Sequence, residues 1–294
     1  MITLNEAEAV EVSLSAVDEG DESRAFQALD SLTGIAADFF SENKEADAKR
    51  VILSIENAAQ AAAEREMELV TINSVLSLGK LARAAADKGF ESALGRAFIS
   101  IGKLGEAAAA HSLEAGSKVA ATTLMEIWNF SPEQWNQEQI IAFSLLFKEI
   151  GTSAARCGME EIVLSAVTGL GEIGKKVAAK SLELETVSSL LLLEEMGKLA
   201  AESYFDEALS STALSIEEIG KLSVKKGLDD AVLQCRWALE TLRGQAEERL
   251  LNNSSVVVEV ALENFTDIGY TDSEERVEKF QVIKALQKKI QSTL

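Results

Sequence analysis

Proline and histidine each occur once in 294 residues, cysteine occurs twice, and aromatic residues make up only 5%. Each scarcity excludes something. With His111 as the sole histidine, no zinc site or catalytic triad can be built around a histidine pair. Two cysteines at unlike sequence positions, Cys157 and Cys235, make no disulfide framework, and neither has a histidine nearby to generate a thiolate. One proline and few β-branched runs leave helix as the favoured state throughout. Long apolar runs are missing too: Ser188 to Leu193 is far short of a membrane span and is followed by Glu194 and Glu195. The opening MITLNEAEAVEV has no basic or apolar leader region, so no signal peptide is expected and the cytoplasm is the expected compartment. Positive charge is short as well. Against 48 acidic residues stand 28 basic ones, a net charge of -20, and residues 1–70 hold 16 acidic and 5 basic. Nucleic acid and anionic membrane are disfavoured as partners, whereas a cationic partner or plain solubility fits.

What the chain does have is a repeat. An aliphatic residue followed by a small one recurs every 23 residues, often with lysine next. The clearest copies are Leu81-Ala82, Leu104-Gly105, Ile150-Gly151, Ile173-Gly174, Met196-Gly197 and Ile219-Gly220, and weaker ones extend the count from Ser13 to Lys289. Counting the small residue as zero, positions -4, -1, 0, +3 and +4 are apolar, which is one face of an α-helix and not a strand alternation. Position +7 is Gly89, Gly158, Gly227, Ser112 or Ser181, suited to a left-handed helix end. An apolar residue follows at +8, and an acidic one at +9 opens the next helix at its positive end. Each repeat is therefore one helix of about 20 residues and a tight turn, and turns this short make neighbours antiparallel. The expected fold is all-α: an α-solenoid of about thirteen antiparallel helices in 46-residue pairs, forming one domain over residues 1–294.

Two phosphate-binding signatures overlap here, GxGxxG over Gly169, Gly171 and Gly174, and GxxxxGK from Gly169 to Lys175. Such glycines need a strand before them and free N–H groups at a helix start. These fall in mid-helix, so no nucleotide cofactor is expected, nor any metal. His111 and Cys157 sit at +6, where other repeats carry Lys or Arg, so both are expected at helix ends; Cys235 is expected buried. The outward pairs Glu194–Lys198 and Glu217–Lys221 are expected to be solvated.

One tract breaks the pattern. Residues 128–147 hold five of the sixteen aromatic residues, and Trp128 stands where the small contact residue belongs. The tract also contains the only proline, in Ser131-Pro132-Glu133-Gln134, which reads as a helix start, with an early turn and a longer helix after it. An irregular joint is expected here. Its aromatics either fill the gap that they create or form a partner-binding hot spot, with Trp128, Phe130 and Trp135 as contacts. The carboxylates two before each motif residue, among them Glu126, Glu172 and Glu218, would line one layer and could meet a basic partner.

By its helix pairs and tight turns the whole chain resembles α-solenoid proteins of the HEAT and armadillo type. It departs from them in using the same motif in both helices of a pair and in lacking a proline-kinked first helix. The resemblance implies a scaffold or adaptor, not an enzyme, that binds another protein or a basic peptide. The rival expectation is an acidic inhibitor that imitates nucleic acid and occupies a DNA-binding protein.

Overall fold

A computed structural model describes residues 5–130, 135–265 and 274–293, the last without side chains before residue 281. Among these it holds thirteen helices and no strand. They are α1 (Glu6–Glu19), α2 (Glu22–Ser41), α3 (Glu45–Glu64), α4 (Glu68–Lys88), α5 (Glu91–Ala110), α6 (Glu114–Phe130), α7 (Gln137–Arg156), α8 (Glu160–Ala179), α9 (Glu183–Glu202), α10 (Asp206–Lys226), α11 (Asp229–Glu248), α12 (Asn252–Glu263) and α13 (Glu274–Gln291). From Glu22 to Asn252 every helix begins 23 residues after the one before. The chain divides into two compact units, residues 1–135 and 136–294, and the boundary falls inside the aromatic tract. In each unit the helices form two layers, and within α1–α6 and within α7–α12 every helix touches the next in sequence and the next but one. The fold is a helical-repeat α-solenoid.

The turns are as the glycine pattern predicts. Gly89, Gly158 and Gly227 have φ near +70°, and Ser112 and Ser181 take the same left-handed conformation. At Gly89 the chain closes with Gly89 N–H on Ala86 and Phe90 N–H on Ala85, the two bonds that stop a helix in one residue. The residue after the left-handed position is apolar at Met67, Phe90, Leu113, Met159, Leu182, Phe205, Leu228 and Leu251.

The motif glycines are seats for side chains from the next helix of the same layer. A Cβ on Gly151, Gly174, Gly197 or Gly220 would lie less than 3.0 Å from Met196, Ile219, Leu242 or Phe265 respectively. Each of those is the aliphatic or aromatic residue that precedes position zero two helices on. The two halves of the motif are thus complementary knob and hole, 45 residues apart.

Helix starts are capped from outside. Met67, Phe90, Met159, Leu182, Phe205, Leu228 and Leu251 occupy N-cap positions and make no side-chain cap. For several helices a first-turn carboxylate of the preceding helix in the layer accepts the free backbone N–H groups instead. Glu45 accepts from Ala93, Glu68 from Ala115 and Gly116, Glu160 from Glu207, Glu183 from Asp230, and Asp206 from Ser254. The acidic +9 position, expected to act on the dipole of its own helix, therefore also ties consecutive helices of a layer together.

Two expectations need correction. The helix after the joint begins at Gln137, with Asn136 as N-cap and Gln139 completing a capping box, and has the same 20 residues as α5 and α8. That box satisfies two N–H groups and keeps the 23-residue count; Ser131 to Gln134 lie outside the described residues. α6 is described as far as Phe130. The second correction concerns α13, which packs on α7 and α9 and does not extend the stack beyond α11 and α12. Seven residues before position zero, Leu29, Ile52, Val75, Phe98, Ala121, Ser144, Val167, Leu190 and Ala213 are all buried. In α11 and α12 that position is Arg236 and Glu259. A thirteenth helix in register would have to bury both charges, so the stack closes at α12.

Candidate protein-binding surface

Trp128 and Trp135 are only 2% and 7% exposed. Their rings stack at 6.5 Å between centroids, and Trp135 meets Phe98 edge-on at 5.9 Å. The Trp135 indole N–H donates to the Trp128 carbonyl at 3.4 Å. A bulky ring in the slot for a small residue fills space between helices. These two side chains are core, not a face offered to a partner. Phe130 alone of the three is exposed, beside a shallow hollow lined by Arg83, Leu94, Ile127 and Trp135.

Nor do the three carboxylates form a bare acidic row. Glu126 pairs with Arg83 of α4. Glu172 and Glu218 share one lysine, Lys175, at 2.6 and 2.9 Å. Partial burial alone would depress the Lys175 pKa, but the two carboxylates outweigh it and hold the ammonium above the ordinary lysine value. Lys148 bridges Glu149 and Glu195 in the same way. The outward Glu–Lys pairs are also less solvated than expected. Glu194 and Glu217 are largely buried and accept from Gln234 and Asn264 respectively, so these pairs also link helices.

His111 caps the end of α5, Cys157 is exposed at the end of α7, and Cys235 is buried, its thiol pushed well up by desolvation. Gly169, Gly171 and Gly174 lie inside α8, packed under Phe147, Ser215 and Ile219, so no free N–H groups face a phosphate there. Among the described residues no group of three metal-ligating side chains occurs, and no helix is long and apolar enough to cross a membrane.

A surface shaped to hold something lies elsewhere, along α2 and α4 in the first unit. These parallel helices leave a groove of about 580 Å³ lined by Glu22, Ser23 and Phe26 on one side and Leu69, Ile72, Asn73 and Leu76 on the other. Phe26, Leu69 and Leu76 are large apolar side chains exposed to water. At the groove wall the Asn73 side-chain N–H₂ is buried with no hydrogen-bond partner. A buried donor without an acceptor costs about 1–3 kcal/mol. Glu22 and Asp30 lie one turn either side of Phe26 along α2, and both are exposed. Sequence reasoning missed this groove because attention to clustered aromatics passes over a single phenylalanine. The repeat itself carried no signal, since the position of Phe26 is also apolar at Ile72, Ile141, Leu164, Val187, Leu233 and Val256.

No protein-family model and no curated protein matches the chain. Among solved structures it is similar to one described as a circular tandem repeat protein with novel repeat topology and enhanced subunit contact surfaces. That likeness has 12% identity and a TM-score of 0.56, over 97% of this chain and 72% of that one. A DHF58 filament matches with a TM-score of 0.23 and 17% identity, over 97% of this chain and 95% of the other. The first of these likenesses is one of fold, a tandem helical repeat.

Proposed function

We propose that this helical-repeat protein is a non-enzymatic scaffold that binds another protein through a short segment carrying apolar side chains and basic flanks. The observation that carries the reading is the groove between α2 and α4. It presents Phe26, Leu69 and Leu76 to solvent and carboxylates at its edge, with the unpartnered Asn73 amide buried in its wall. Apolar pockets with one or two directed polar groups suit a peptide side chain and its backbone carbonyl. The excess of acidic residues in 1–70 favours a cationic segment over nucleic acid or an anionic membrane. Two free cysteines suit the cytoplasm.

Selection from a random peptide library tests this. Peptides retained by the wild-type chain should combine aliphatic or aromatic residues with Lys or Arg, and should bind Phe26→Asp/Leu76→Asp at least tenfold more weakly. Peptides without that composition, or equal binding to the variant, would contradict the reading. The same acidic excess in residues 1–70 supports a rival, a nucleic-acid mimic. Its signature would be capture of DNA-binding proteins that free DNA displaces and the groove variant leaves unchanged.

A further inference from the structure

Within the second unit, α7 and α9 are buried on nearly every side along their N-terminal halves. In α9 all residues from Glu185 to Leu193 are buried, and in α7 all from Ile140 to Phe147. Repeat position -6 shows what is unusual. Leu53 and Leu214 occupy it in α3 and α10 and are 40% and 49% exposed, whereas Leu145 and Leu191 are 2% and 6% exposed. The next position, -5, is Ser, Thr, Gly or Ala from Ser31 to Ala261, except for Leu146 and Leu192. Two parallel helices of one layer thus each carry an adjacent leucine pair where other repeats are small or solvated.

The helix over them is α13. Its buried residues from 281 on are Ile283, Gln287 and Ile290, with Leu286 half-buried, which is an i, i+3, i+4, i+7 stripe. Gln287 donates to the Ser188 carbonyl and hydroxyl at 3.1 and 2.9 Å, and Gln291 donates to Glu149 at 2.6 Å. Lys284, Lys288 and Lys289 stay in solvent on its far side. By the repeat count α13 should be the thirteenth layer helix, but Arg236 and Glu259 bar that place.

We propose that the α7–α9 face is a receptor for an amphipathic helix, filled here by α13 of the same chain and open to a partner helix when α13 leaves. The partner is defined by what α13 shows: aliphatic residues at i, i+3 and i+7, amides at i+4 and i+8, and a basic outer side. This face is separate from the α2–α4 groove, and its use does not depend on that site. Because α13 is tethered, it competes at high effective concentration, so the free chain should receive a second helix poorly.

The probe is a labelled peptide of residues 274–294 added to the full chain. Ile283→Asp/Ile290→Asp in the chain should release α13, and the peptide should then bind at least tenfold more tightly than it binds wild type. Adding Leu145→Asp/Leu191→Asp should abolish that gain, while Phe26→Asp/Leu76→Asp should leave it. A second readout covers a variant that does not fold. Excess peptide on the wild-type chain should speed hydrogen exchange in α13, and a peptide with the two aspartates should not. No peptide binding by the folded variant, or α13 exchange indifferent to peptide, would overturn the proposal.

Discussion

At the scale of single residues, the contacts that repeat are those between a hole and the side chain that fills it. Gly174 costs its helix about 1 kcal/mol against alanine, but an added methyl would overlap Ile219. Gly174→Ala is therefore expected to destabilise by about 1 kcal/mol or more, since overpacking at about 1–3 kcal/mol exceeds the gain in propensity. Ile219→Val removes the methyl in the way, so the pair of changes should cost less than the sum, as a double-mutant cycle by denaturant unfolding would read. Trp128 is the opposite case, a ring in a slot for a small residue, and it is buried. Trp128→Ala should cost about 3–5 kcal/mol in unfolding free energy while leaving peptide affinity at the α2–α4 groove unchanged. The identity of these residues was plain in the sequence, but their exposure was not. Both a gap filler and a binding anchor demand large aromatics, and only the packing of Trp128 on Trp135 and of Trp135 on Phe98 separates the two.

At the scale of helices, the layer is held by carboxylates that reach to the next helix start. Glu68 accepts N–H groups of Ala115 and Gly116, so Glu68→Ala should lower stability by about 1 kcal/mol, as loss of a cap does, with faster hydrogen exchange at the start of α6 and not of α4. Asp206 does the same for α12, and its hydrogen bonds from the Ser254 side chain and backbone hold its pKa below the usual 3.8. A carboxylate with a depressed folded pKa contributes stability above its unfolded value and loses it as pH falls through the folded one. The melting-temperature gap between wild type and Asp206→Asn should therefore be constant near neutrality and shrink below about pH 4. Helix type, length and ends were legible because apolar spacing and turn glycines are local signals. Partners of the first-turn acids were not legible, since a carboxylate on its own dipole and one on a neighbour's N–H groups look the same in one dimension. The fate of α13 was legible in principle: Arg236 and Glu259 stand where nine earlier helices are buried.

At the scale of the molecule, two stacks built from one motif differ in what they leave open. In the second unit the leucine pairs of α7 and α9 are covered by α13, and in the first unit Phe26, Leu69 and Leu76 of α2 and α4 are not. The repeat made the architecture readable and hid the site, because apolar residues at one repeat position are buried in some helices and exposed in others, as Leu145 and Leu76 show. The largest departure, the aromatic joint, turned inward, while Phe26, at a position apolar in most repeats, faces water. The most direct measurement is a hydrogen-exchange footprint of a library-selected basic peptide on the full chain. The account predicts slowed exchange concentrated in α2 and α4 that Phe26→Asp/Leu76→Asp abolishes without lowering the melting temperature. A footprint elsewhere, or one that survives the substitutions, would contradict it.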